Sequence, residues 1–117
     1  MNGKIRLIKN NMPILKANPT LNDIQEYVKE LEVERGFQDE SVLQKCLLLG
    51  EEIGELYKAI RKKDKVTRID HNSKFGSVDE EFADIIIVMC TIANRLGINL
   101  EQSFRDKEEL NKNRSWK

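Results

Sequence analysis

Histidine is nearly missing from this chain: His71 is the only one among 117 residues. A carboxylate-bridged di-iron bundle uses Glu-x-x-His pairs, and His71 follows no such glutamate, so that class is set aside. Net charge is missing as well. Lys plus Arg and Asp plus Glu both total 20, which argues against a general nucleic-acid binder, since that needs a strong positive excess. A small anionic ligand held by a few local cations stays compatible with this balance. No apolar run approaches the ~18 residues of a membrane span. Lys4, Arg6 and Lys9 are not followed by an uninterrupted apolar stretch, so neither a membrane protein nor a signal peptide is expected. Cysteine is limited to Cys46 and Cys90, both inside apolar helical stretches. They are expected as reduced core residues of a cytoplasmic protein rather than a disulfide or metal pair. Aromatics make up only 6% and prolines number two, against 34% charged residues. That is the profile of one helical domain with solvated outer faces and a modest core.

Residues 1–19 show no clear periodicity, and Asn10-Asn11, Pro13 and Pro19 interrupt their apolar positions; an irregular arm is expected, with the domain proper at 20–117. A first helix is expected from about Leu21 to Arg35, with Thr20 as N-cap, Asp23 three residues on, and Gly36 as the stop. A second is expected from about Asp39 to Lys63. Its apolar positions Val42, Cys46, Leu49, Ile53, Leu56 and Ile60 alternate by four and three, the seam of a helix bundle. Gly50 and Gly54 lie one turn apart on its flank, where each costs about 1 kcal/mol; they mark either a close approach or tolerated surface positions. Residues 64–77 form a polar loop, in which His71 is a surface residue or a lid contact. Ser77 with Glu80 reads as a capping box opening a third helix that runs to Leu96 and ends at Gly97. Its centre, Ile85-Ile86-Ile87-Val88-Met89-Cys90, is apolar nearly all round, so it is expected to be the most buried element. Asn99 caps a fourth helix, about Leu100 to Ser115. The fold expected is all-α and four-helix-bundle-like.

Two carboxylate clusters stand out: Glu51-Glu52-Ile53-Gly54-Glu55, and Glu81-Phe82-Ala83-Asp84. Within each, two acids three residues apart (Glu52/Glu55 and Glu81/Asp84) share one face of a helix. Both pairs adjoin apolar seams. In a chain this acidic, a chance EExxE on a solvated face is common. The combination is more informative: two such pairs, on two long helices joined by a loop that makes them antiparallel neighbours. Four negative charges gathered near a core must be neutralised, and a hard divalent cation with oxygen ligands does so.

With these residues in view, Glu51-Glu52-x-x-Glu55, a gap of 25 residues and Glu81-x-x-Asp84 resemble the signature of the MazG-like nucleotide pyrophosphohydrolases, within the all-α NTP pyrophosphatase superfamily. The segments GEEIGELYKAIRKK, VDEEFADIIIVMCTIANRLGINLEQSF and KEELNKNR carry the same likeness, over about residues 21–116. The resemblance implies Mg²⁺-dependent hydrolysis of a (deoxy)nucleoside triphosphate to the monophosphate and pyrophosphate, with Mn²⁺ as a substitute. It implies metal-ligand roles for Glu52, Glu55, Glu81 and Asp84, with Glu51, Glu52 and Glu55 as the catalytic acids. Glu51 would orient or deprotonate the attacking water, or ligate a second ion. Lys107-x-x-x-Asn111-x-x-Arg114 resembles the segment that contacts phosphate or sugar. A homodimer or homotetramer is implied, with no nucleic-acid or membrane partner, and nucleotide-pool house-cleaning follows by analogy alone.

Other readings compete. One is a narrower-substrate relative acting on a deoxynucleotide or on phosphoribosyl-ATP. Another is a catalytically silent helical dimerisation module whose acids are only a charged face. Lys58, Arg61, Lys62 and Lys63 are either an entry patch for phosphate or a solvated helix end. Trp116 either stacks on a base or packs against a neighbouring helix. The aromatic base-stacking position of some pyrimidine-specific relatives is here the aliphatic Val88.

Overall fold

The computed structural model describes residues 12–64 and 75–116, and among them the only regular elements are four α-helices: α1 Leu21–Arg35, α2 Val42–Asp64, α3 Val78–Arg95 and α4 Leu100–Lys112. Residues 12–19 form neither helix nor strand. Residues 1–11 of the expected arm and most of the 64–77 loop, with His71, lie outside the described residues. No single described helix is long and apolar enough to cross a membrane.

The ends of α1 follow from local chemistry. Thr20 Oγ1 accepts from the Asp23 amide at 3.1 Å and the Asp23 carboxylate accepts from the Thr20 amide at 3.0 Å, a reciprocal capping box. Gly36 closes the helix at φ 73°, a left-handed position that glycine adopts without a Cβ penalty, and the Phe37 amide reaches back to Glu32 O. Helix α2 starts three residues later than the sequence suggests. Ser41 and Gln44 form a second reciprocal box, Gln44 N to Ser41 Oγ at 3.1 Å and Ser41 N to Gln44 Oε1 at 2.6 Å. That S-x-x-Q signal outweighs the acids before it. At α3 only half the expected box forms. Ser77 Oγ accepts from the Glu80 amide, while the Glu80 carboxylate turns to the Ser77 hydroxyl. Helix α4 ends at Lys112, three residues short of the expected Ser115, where the Asn113 side-chain amide donates to Glu109 O.

Helices α2 and α3 make the most extensive packing; α1 lies along α3, and α4 rests on α1. Helix α4 leaves α3 at 94°. Buried Gln25 of α1 holds that corner, donating to Asn94 Oδ1 and Ile98 O and accepting from the Leu100 amide at 2.9 Å. A second tie crosses from α3 to α1. Arg95 donates to the buried Glu32 carboxylate, to Glu40 O and to Phe37 O. Arg95→Ala strands the Glu32 carboxylate, whose side chain is 9% exposed. A loss of about 3 kcal/mol is expected, because removing one partner of a buried pair leaves an uncompensated charge. A urea melt measures it, and an unchanged midpoint would refute the coupling.

Two core expectations are corrected. Cys46 is exposed rather than buried, while Cys90 is 1% exposed. Leu56 of the expected seam is buried, but Lys45 and Ala59 join it in place of Cys46, so the inward line of α2 is rotated toward the carboxylates. Helix α3 is not covered all round either. It buries Glu81, Val88, Cys90, Thr91 and Ala93 but leaves Phe82, Ile86 and Met89 about half exposed. Helix α2 likewise leaves Leu43, Leu47 and Tyr57 exposed on one face, with Gly50 and Gly54 between them.

Candidate metal centre

The antiparallel packing of α2 and α3 brings Glu52, Glu55 and Glu81 together, with a carboxylate oxygen of each within 4.8 Å of the others. Glu81 is the most enclosed, at 2% exposure. Its Oε1 accepts from the Gly76 amide at 2.5 Å, while Oε2 is buried without a hydrogen-bond partner among the described residues. Glu52 Oε2 is buried and unpartnered in the same way. Two such oxygens inside one cluster of acids are not a stable arrangement when the carboxylates are ionised.

The electrostatics say the same. Burial, and then the neighbouring Glu55 and Asp84, push Glu52 up to about 7 from its ordinary 4.5. Glu55 is raised by burial and by Glu81, and Asp84 by burial, Glu81 and Glu80. Asp84 is exposed, yet it belongs to the cluster electrically. The donor set is all oxygen and anionic, fits a hard cation and excludes a thiolate site.

Gly76 is the residue that sequence reasoning undervalued. Its N–H fixes which Glu81 oxygen faces inward, the work of an outer partner that orients a ligand. A Cβ there would lie 2.9 Å from Glu80 Oε2 and 3.1 Å from Glu81 Oε1. Its place just before the Ser77 cap was the available signal. Beside it opens a cleft of about 840 Å³, lined by Ala59, Lys62, Lys63, Phe75, Gly76 and Ser77 among others, with the Lys62 ammonium 5.6 Å from the Phe75 ring.

The remaining predicted residues lie elsewhere. Glu51 is exposed on α2. Lys107 and Asn111 sit on α4, and Arg114 just beyond it. Lys107 and Arg114 are exposed, and Asn111 Oδ1 is buried without a hydrogen-bond partner among the described residues. The Arg114 guanidinium stacks 5.6 Å from the Trp116 ring, which is itself 73% exposed rather than packed on a helix. Helix α4 packs on α1, so one chain does not gather these residues around the carboxylates.

Comparison with known proteins gives this geometry a family. Residues 37–115 match the model of the MazG nucleotide pyrophosphohydrolase domain. The chain is similar to two crystal structures of iMazG from Vibrio DAT 722. The C-terminally tagged form is 35% identical with a TM-score of 0.57, and the match covers 80% of this chain and 99% of that one. The N-terminally tagged form gives the same identity and TM-score, with 82% and 100% covered. No curated protein matches. A domain match over most of the chain and solved relatives covered end to end place it: the chain belongs to the MazG nucleotide pyrophosphohydrolase family.

Proposed function

We propose that the chain hydrolyses (deoxy)nucleoside triphosphates between the α and β phosphates, releasing the monophosphate and pyrophosphate. Glu52, Glu55, Glu81 and Asp84 hold Mg²⁺ in this reading, with Mn²⁺ as a substitute. The observation that carries it is the pair of buried, unpartnered oxygens, Glu52 Oε2 and Glu81 Oε2, inside a cluster of acids that repel one another. A charged face of a silent module would turn such oxygens to water. When bound, the cation neutralises phosphate charge and acidifies a coordinated water.

The chain's own residues supply the rest. Glu51 orients or deprotonates the attacking water from the solvent side of α2. Lys62 and Lys63 line the cleft beside Gly76 and hold the departing pyrophosphate, which favours the entry-patch reading for these two lysines. Lys107, Asn111 and Arg114 bind phosphate or sugar. Because α4 packs on α1, a second copy of the chain brings them to the carboxylates, and the enzyme is a homodimer or homotetramer. The uncovered Leu43, Leu47, Tyr57, Phe82, Ile86 and Met89 provide its interface. Free Cys46 and Cys90 fit a cytoplasmic setting.

Product analysis tests the cleavage position. With Mg²⁺ and a panel of ribo- and deoxynucleoside triphosphates, pyrophosphate and monophosphate are expected in equal amounts. Orthophosphate with accumulating diphosphate would place the scissile bond elsewhere.

A further inference from the structure

Helix α4 carries Lys107 and Asn111 and leads into Arg114, yet its own packing does little to fix where they point. None of its 13 residues is buried, and Phe104 and Leu110 are mostly exposed. Its direction is set at one end, where Gly97 turns the chain at φ 68° and α4 leaves α3 at 94°. At that corner Gln25 of α1 is 5% exposed, and both polar atoms of its side chain are engaged. Nε2 donates to Asn94 Oδ1 at 2.9 Å and to Ile98 O at 2.7 Å, and Oε1 accepts from the Leu100 amide at 2.9 Å. The Asn94 side chain donates in return to Gln25 O at 3.2 Å. A backbone N–H can only donate, so the Leu100 amide fixes which end of the Gln25 amide is oxygen.

The residue type matters at this position. The Leu100 amide opens α4 and is one of the first-turn donors that no carbonyl within the helix can satisfy. Ile98 O belongs to the turn before it. One side chain must accept from the first, donate to the second and still hold Asn94. Glutamine does all three; glutamate has no donor, and methionine offers neither. Gln25 is itself anchored, since it lies one turn before Val28 on α1, where Val28 and Leu31 are part of the core. The core thus hands its geometry to α4 chiefly through this side chain. Asn22 adds a tie nearer the surface: its amide donates to Glu101 Oε1 at 3.2 Å, and its Oδ1 accepts from Asn99 Nδ2 at 3.0 Å.

From Leu100 to Lys112 the helix is a lever of roughly 18 Å. A tilt of about 10° at the corner displaces its far end by roughly 3 Å, the whole length of a hydrogen bond. We propose that Gln25 is a positioning residue for the pyrophosphohydrolase reaction, holding α4 in the one direction that presents Lys107, Asn111 and Arg114 to the triphosphate. The assignment rests on the pyrophosphohydrolase reading of those three residues, whereas the hold on α4 does not. Loosening the corner spreads α4 over several directions, of which only a fraction is competent. Apparent affinity then falls by that fraction, while substrate already bound keeps α4 in place and turnover at saturation persists. A competent fraction of about one tenth raises KM about tenfold.

The test is Gln25→Met, which keeps the length of the side chain and removes its hydrogen bonds. With Mg²⁺ and a triphosphate, KM is expected to rise about tenfold and kcat to change less than about threefold. A merely destabilised protein would lose kcat through its active fraction and keep its KM. Stabilisation by Mg²⁺ without nucleotide is expected to equal the parent's, because Gln25 lies on α1, away from the carboxylates of α2 and α3. Spin labels at Lys29→Cys on α1 and Glu108→Cys on α4, both exposed positions, read the direction of α4 itself. They are placed in a Cys46→Ser background and diluted with unlabelled protein, so that each assembly carries one labelled chain. A single narrow distance in the parent is expected to broaden in Gln25→Met. If Gln25→Met fails to fold, Gln25→Glu, which keeps the acceptor for the Leu100 amide, is expected to give the same KM shift and the same broadening. An unchanged distance distribution, an unchanged KM or a fall in kcat alone in the folded variant would overturn the proposal. Failure of the enzymatic reading looks different: the distance broadens as expected, but neither parent nor variant releases pyrophosphate from any triphosphate, which removes the reaction that Gln25 serves.

Discussion

Glu55→Gln is expected to lower pyrophosphate release by roughly three orders of magnitude while all four helices persist. The amide keeps the size of the side chain and loses its charge, in a cluster whose acids lie within 4.8 Å of one another. The effect on stability should run the other way. At such separations each pair of full charges repels by about 3 kcal/mol at an effective dielectric of 20. Without divalent cation, the variant is therefore expected to unfold at a higher denaturant concentration than the parent.

The pH dependence follows from the raised carboxyls. Glu52, at about 7 when folded against 4.5 ordinarily, binds protons more tightly in the folded chain, and Glu55 and Asp84 shift in the same direction. Stability is therefore fully present below about pH 4.5 and is lost as pH rises through about 7. For Glu52 alone the loss is at most about 3 kcal/mol, reduced by solvent screening. Saturating Mg²⁺ should cancel it above pH 7, adding about 2.7 kcal/mol at a hundred times its dissociation constant. Glu55→Gln should flatten the profile, and Mg²⁺ should help it far less. Full activity in Glu55→Gln, or a parent whose melting ignores Mg²⁺ at pH 8, would sink the metal assignment.

Most of the helical frame was legible because its signals are local. Thr20 and Asp23 open α1 within one turn, Gly36 alone closes it, and the carboxylate spacing needs only the helical period. What the sequence concealed depends on contacts between distant segments. The apolar count on α2 favoured a seam through Cys46, yet packing against α1 and α3 turns Lys45 inward, where Glu40 and Phe37 offset its charge. The Gly76–Glu81 hydrogen bond is the exception, joining residues only five apart, but no helical period announces it. The 94° corner between α3 and α4 depends on Gln25, some seventy residues away. That corner is also why Lys107, Asn111 and Arg114, although recognisable as a motif, do not meet the carboxylates within one chain.

Mixing two inactive variants, Asp84→Asn and Arg114→Ala, is expected to restore about a quarter of the parental activity once subunits exchange. In a symmetric dimer with composite sites, half of the randomly re-formed dimers are mixed. One of the two sites in each then combines intact carboxylates with an intact Arg114. The expectation rests on surfaces that this chain leaves uncovered. Leu43, Leu47 and Tyr57 share one face of α2, and Phe82, Ile86 and Met89 share one face of α3. Between the α2 positions lie Gly50 and Gly54, where an added Cβ would meet nothing within 4 Å. No close approach among the described residues explains those glycines, whereas a second copy of α2 or α3 laid against this face would. Asn111 Oδ1 is likewise buried without a partner among the described residues. Activity that stays at the level of the separate variants, in a protein shown to have exchanged subunits, would place every catalytic group in one chain. A strictly monomeric protein active at nanomolar concentration would remove the composite site altogether.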